Sequence, residues 1–334
     1  MSDTSTSLPS LADRVRSIDA GGTVVGVHFL GATPVFVLGE ETLLFAGEGE
    51  AKRVAIHGGA ILASASDGHR IVTGGDDGHV VATDASGEHQ IIAADEKKRW
   101  IDQVALGPDG AVAWSAGKTA FARGKKGEVR TFDAASTVAG LAFAPKGFRL
   151  AIAHYNGATL WFPNASGAKP ETLVWKGSHL GVTFSPDGKF LVTTMQEPML
   201  HGWRLTDGQH MRMSGYSARV RSLSWSADGK YLATSGSEQL ILWPFESKDG
   251  PMGKQPALLA PSQSRVSVVG CHPRQPVVAV GYADGVVLLV RVEDGALIMV
   301  KAAGPAPVSA LGWDANGQHL AFGSEAGEAG VLSL

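Results

Sequence analysis

Reactive residue types are scattered through this chain of 334 residues, and none falls into a spacing that a common active site needs. Gly117-Lys118-Thr119 ends like a phosphate-binding loop, whose backbone N–H groups cradle phosphate oxygens, but that loop also needs a glycine where Val112 stands. A turn between two strands accounts for it. The eleven histidines contain no i, i+2 or i, i+4 pair with a third ligand nearby, the pattern by which one element presents imidazoles to zinc. A ring-shaped fold could gather His57, His154 and His179 near its axis; solvated or singly hydrogen-bonded imidazoles are the simpler expectation. Asp76 and Asp77 place two carboxylates side by side, but before Gly78 they read as a tight turn facing water. No Gly-x-Ser-x-Gly elbow exposes a serine nucleophile. The single cysteine, Cys271, lies in the apolar run Val266 to Cys271, where a thiol acts as a small buried hydrophobe. One cysteine forms no intrachain disulfide and fits a reducing compartment. Asn164-Ala165-Ser166 is a glycosylation acceptor only in a secreted protein. No catalytic residue, metal site or cofactor is assigned.

The elements that must position these residues repeat. An Asp-Gly turn or a near equivalent recurs at Gly68, Gly110, Gly147, Gly188, Gly229 and Gly317. The interval is about 40 residues or twice that, with a short apolar strand on either side of each turn. One small sheet cannot bury both faces alone, so such units stack around an axis as a β-propeller. Inner-strand copies start at Val24, Ile61, Ile101, Val138, Leu180, Val220, Val266 and Val308. The expected fold is therefore all-β: an eight-bladed β-propeller of four-stranded antiparallel sheets. Seven blades with an irregular cap over residues 20–50 is the other count. The last unit stops at Leu334 on its third strand, so Arg14 to Ile18 is expected to supply the outer strand. Pairing the N-terminal and C-terminal strands would close the ring and remove an open sheet edge. Residues 1–10 are expected to be a disordered tail, and 11–334 a single propeller domain.

Bulk composition narrows the partners. The balance of 29 basic and 32 acidic residues, a net charge of -3, gives no global field for nucleic acid or an anionic membrane. No apolar run approaches the ~18 residues of a spanning helix. The N-terminal residues carry neither the basic cluster nor the apolar stretch of a secretory signal. A cytoplasmic monomer is expected.

Because inner strands all begin at one mouth of the channel, the residues just before them form a ring: Thr23, Gly58, Trp100, Thr137, Ser178, Arg219, Arg265 and Pro307. Exposed Trp and Arg are the types that anchor protein interfaces. Trp100, Arg219 and Arg265 are therefore partner-binding candidates, with Arg99 after Lys97 and Lys98 on the same side. Tyr216 and Tyr282, with Tyr155, come from loops expected to open onto that face. A basic rim suits an acidic partner peptide or a carboxylate ligand. The plain structural reading is that Trp100 packs under a neighbouring blade and the arginines cap carbonyls.

Several stretches give the chain a family likeness: residues 185–191 (Ser-Pro-Asp-Gly-Lys-Phe-Leu), residues 226–236, Thr73 to Gly78 and Gly281 to Gly285. Together they resemble the WD-repeat propeller family over nearly the whole chain, in a degenerate, bacterial-like form. Trp161, Trp203 and Trp243 match the family's third-strand tryptophan, although none is followed by its usual Asp. The family's Gly-His dipeptide is mostly missing. Gly215-Tyr216 stands where one is expected, and His179 comes too close to Phe184 to align. The resemblance thus implies blades held more by apolar packing than by the family's polar network. It also implies a non-catalytic scaffold that holds a protein partner at the rim. The other reading is a small-ligand- or metal-binding propeller enzyme, a lactonase-like hydrolase or an oxidoreductase, using the central channel.

Overall fold

Strands of mostly apolar residues become the second strands of their sheets, buried on both faces. Val112–Ala116 and Phe190–Met195 are buried at every position, whereas the outer strand Val129–Asp133 is mostly exposed. The computed structural model describes residues 8–165 and 167–334, so Ser166 of the glycosylation triplet lies outside the described residues. Among the described residues the strands make seven antiparallel sheets.

The first holds Val24–Leu30, Thr33–Leu38, Thr42–Phe45 and Lys52–Ala55, and the second Ile61–Ser66, Arg70–Gly75, His79–Asp84 and His89–Ala94. Gln103–Leu106, Val112–Ala116, Thr119–Arg123 and Val129–Asp133 form the third. Six strands form the fourth: Gly140–Phe143, Leu150–Trp161, Glu171–Phe184, Phe190–Met195, Leu200–Arg204 and His210–Met213. The fifth runs Leu223–Trp225, Tyr231–Thr234, Leu240–Pro244 and Ala257–Leu259, and the sixth Val266–Cys271, Val277–Tyr282, Val287–Arg291 and Leu297–Lys301. Val308–Trp313, His319–Ser324 and Glu328–Ser333 form the seventh with the N-terminal strand Val15–Asp19.

Eight separate sheets were expected and seven are found, because two consecutive repeat units share the six-stranded sheet. Their connections shrink to turns that keep the ladder hydrogen-bonded: Asn156 and Gly157 take φ of 66° and 140°, and Gly177 takes 114°. Tyr155 pairs with Ser178 across them, and the Gly177 N–H donates to the Asn156 carboxamide oxygen at 3.2 Å. The irregular cap over residues 20–50 is not found either, since Val24 to Ala55 is a regular four-stranded sheet. One inner strand is shorter than its sequence suggests. The Ser235 hydroxyl accepts the Arg221 and Ser222 N–H groups, so ladder pairing in the fifth sheet begins only at Leu223.

Neighbouring sheets approach closely where they line the channel. A Cβ on Gly281 would lie 2.7 Å from Val308, and one on Gly323 would lie 2.6 Å from Val24, so each glycine admits the next sheet's first inner residue. Serine hydroxyls bond across the same joints: Ser267 Oγ donates to Val308 O at 2.6 Å, and Ser309 Oγ donates to Val24 O. Apolar side chains fill the space behind. Phe190, Val192, Leu232, Trp243 and Phe245 pack between the fourth and fifth sheets, and Val24, Phe36, Ala321 and Val331 between the first and seventh. Trp161, Trp203 and Trp243 are buried, whereas Trp225 is half-buried and donates its Nε1–H to Thr183 Oγ1 at 3.0 Å.

The ring closes through the termini. Val15–Asp19 runs antiparallel to Glu328–Ser333, with Val15 opposite Leu332 and Asp19 opposite Glu328. Just upstream, the Met299 N–H donates to Pro9 O and the Leu11 N–H to Met299 O, both at 2.8 Å. The same segment therefore ties the sixth sheet to the seventh. Of the tail expected over 1–10, residues 1–7 lie outside the described residues, while Pro9 and Ser10 are bonded in this way. Deleting residues 1–19 removes both ties and uncovers the edge at Glu328–Ser333. Its melting transition, followed by circular dichroism, should fall by on the order of 10 °C, the equivalent of a few kcal/mol in a chain of this size. An unchanged transition would show that the closure adds no stability.

Candidate interaction face and channel

Inner-strand segments of the first, fifth, sixth and seventh sheets, with Ser64 of the second, wall a cavity of about 1100 Å³. Thr23, Arg219, Arg265 and Pro307 line it, four of the residues expected at the mouth. Arg221, in the irregular stretch before Leu223, lines it too. Sequence reasoning missed Arg221, because no strand alternation carries it there. Glu325 is the one carboxylate among the lining residues. Arg219 donates Nη1–H to Gln196 Oε1 at 2.9 Å. Among the described residues, none of the three arginines has a carboxylate within ion-pair distance.

The other expected rim residues divide. Trp100 is 65% exposed, so it does not pack under a neighbouring blade, and Tyr155 is 59% exposed. Arg99 is already engaged, with Nη2 2.6 Å from Asp95 Oδ1 and Nη1 3.2 Å from Ala116 O. Its guanidinium holds the Asp95 carboxyl below the usual carboxylate range. Arg99 thus braces its own loop. Tyr216 and Tyr282, expected on the face, are buried. Tyr282 donates its hydroxyl to Ala260 O at 2.7 Å, and burial raises its pKa. The Tyr216 hydroxyl accepts from Trp243 Nε1 at 2.7 Å and lies 2.9 Å from Thr234 Oγ1, which itself donates to Ile241 O. Burial pushes Tyr216 up to about 12. Both rings turn inward because buried polar groups in the loop and strands need a hydroxyl partner.

The model for the WD domain, G-beta repeat, matches residues 208–243, the stretch that contains Tyr216, Thr234 and Trp243. That stretch is a WD repeat within a β-propeller fold. The chain is 30% identical over 82 residues to WD repeat-containing protein 1-B of Xenopus laevis, covering 24% of this chain and 14% of that one. It is 25% identical over 138 residues to the Drosophila melanogaster protein groucho, covering 40% of this chain and 19% of that one. The chain therefore matches less than a fifth of the length of either relative. The crystal structure of the computationally designed Ika8 protein superposes with a TM-score of 0.78 at 17% identity, over 96% of this chain and 98% of that one, a likeness of fold alone.

The propeller keeps more of its polar network than its sequence suggests. His57 is clamped with Nε2 2.8 Å from Thr73 Oγ1 and Nδ1 3.0 Å from Asp77 Oδ1. His179 reaches Thr193 Oγ1 at 2.7 Å and sits against Trp203, a polar set that its close spacing to Phe184 did not lead one to expect. The short turn at Gly177 makes this possible. His154 bonds Thr159 Oγ1 at 2.9 Å. Each of the three histidines weighed for a metal is thus hydrogen-bonded to a threonine, and among the described residues no three His, Cys, Asp or Glu side chains are placed to hold a metal ion. Asp77 does not simply face water. Partial burial pushes its pKa up, but the Gly58 and His79 N–H groups and the His57 imidazole outweigh this and hold it at about 2. Half-buried Cys271 donates to Ser224 O at 3.4 Å, and burial pushes its thiol up to about 11.

One histidine is buried without that support, and half-buried His28 has Nε2 2.8 Å from Ser64 Oγ. His201 stacks 4.1 Å from Trp175 and has no partner for either ring nitrogen among the described residues. Burial, with the neighbouring His179, His210 and Arg212, lowers it to about 3. Burial lowers His28 to about 4.

Two outcomes follow. Tyr216→Phe leaves the Trp243 N–H without an acceptor, so chemical denaturation should show a loss of about 1–3 kcal/mol with the fold intact. Both lowered histidines are neutral when folded, while the unfolded chain takes up protons below about pH 6.5, so stability is full above that value and declines toward pH 4 and 3. Thermal melts across this window should show the decline, and His201→Phe should flatten it. An identical slope in the variant would remove His201 as its source.

Proposed function

We propose that this propeller is a non-catalytic scaffold, a cytoplasmic monomer that holds an acidic segment of a partner protein at the channel mouth. The observation that carries the reading is the combination of exposed Trp100 with Arg219 and Arg265, which no carboxylate neutralises among the described residues. All three precede inner strands that start at the same face. A ring with a flat indole can bury apolar area while guanidinium forks pair with carboxylates. The family likeness supports the same reading, and no helix of the described residues is long and apolar enough to cross a membrane. Within the expected rim set, Trp100, Arg219 and Arg265 are assigned to contact. Arg99 positions the Trp100 loop, and Tyr216 and Tyr282 support the face from beneath.

The test is affinity capture followed by identification of the retained protein. The double variant Arg219→Glu, Arg265→Glu should lose that protein while keeping the wild-type melting temperature, and Trp100→Ala should weaken capture severalfold. Undiminished capture by the double variant would place the partner on another surface.

A further inference from the structure

We propose that the channel itself binds a small, multiply charged oxyanion, of the size of a diphosphate or tricarboxylate, on the arc formed by Arg219, Arg221 and Arg265. The proposal deepens the rim reading, because Arg219 and Arg265 belong to both sites, while Arg221 belongs to the channel wall alone.

Three guanidiniums and one carboxylate line the cavity of a chain whose net charge is -3, so positive charge is concentrated where the rest of the molecule is slightly acidic. Low-dielectric walls strengthen such a field. Arg221 is exposed to the cavity, and its side chain bonds no protein acceptor among the described residues. A guanidinium offers five donors in a planar fork that fits phosphate or carboxylate oxygens, and three of them on one arc suit several oxygens at once. The cavity, about 1100 Å³, has room for a small molecule with water around it.

The place of Arg221 in the cavity lining favours a small ligand over a folded surface. Its residue sits inside the mouth, where the backbone is held off the ladder by the Ser235 hydroxyl. That irregular stretch lets Arg219 and Arg221 both reach the cavity. Ser267 and Ser309 do not compete for the ligand, since their hydroxyl protons are committed to the carbonyls of Gly281, Val308, Val24 and Gly323.

Isothermal titration of the full chain with inorganic pyrophosphate, at low salt and with sodium chloride controls of matched ionic strength, tests the site. The wild type should bind saturably. Arg221→Gln should bind about tenfold or more weakly, the effect of one lost charge-assisted hydrogen bond. Arg221→Lys, which keeps the charge and loses the fork, should fall between them. Unligated melting temperatures of both variants should match the wild type. Absent or non-saturable binding by the wild type, or equal affinity in Arg221→Gln, would overturn the proposal. Partner capture that survives in a wild type unable to bind pyrophosphate would overturn the channel site and leave the rim reading standing.

Discussion

Neighbouring sheets must come close enough at the channel for a backbone of one to touch the side chains of the next, and the rest of the fold depends on that approach. Gly281 and Gly323 supply the space and the valines of the adjoining inner strands fill it. Serine hydroxyls then bridge joints that would otherwise leave inner-strand carbonyls unpaired. With each sheet pressed against the next, the only stable arrangement is a closed one, and the terminal segment from Pro9 to Asp19 completes it.

The same constraint shapes the functional surface. A wall built from glycine, valine and serine offers little charge of its own, so a few arginines dominate the field inside it. Arg219, Arg221 and Arg265 sit where the inner strands begin, beside backbone that is already satisfied by its neighbours. Their guanidiniums are left to the cavity. Arg99 shows the contrast, since a nearby aspartate converts the same side chain into a brace.

Much of the architecture was legible in the chain itself. The turn spacing gave the stacked antiparallel sheets, and the truncated last unit pointed to the N-terminal strand that completes it. Sheet number was not legible, because a hydrogen-bonded ladder that continues through Asn156, Gly157 and Gly177 cannot be told from an ordinary turn by composition. The polar network was underestimated for a related reason. His179 fails to align with its equivalents in sequence, yet the compact turn before it brings the imidazole to Thr193.

The binding candidates divide along the same line. Counting along a fixed repeat brought sequence reasoning to Arg219 and Arg265, which line the cavity, and to Trp100, which stands exposed three residues before its strand. Only the tertiary structure decided which way a loop side chain turns. Tyr216, in the loop before the fifth sheet, and Tyr282, at the end of a strand of the sixth, both point into the core, held by the Trp243 N–H and the Ala260 carbonyl. Arg221 became a channel residue only when the Ser235 hydroxyl held its backbone off the ladder. Side-chain direction in a loop is set by the polar groups that burial leaves in need of a partner, and those groups come from strands distant in the chain.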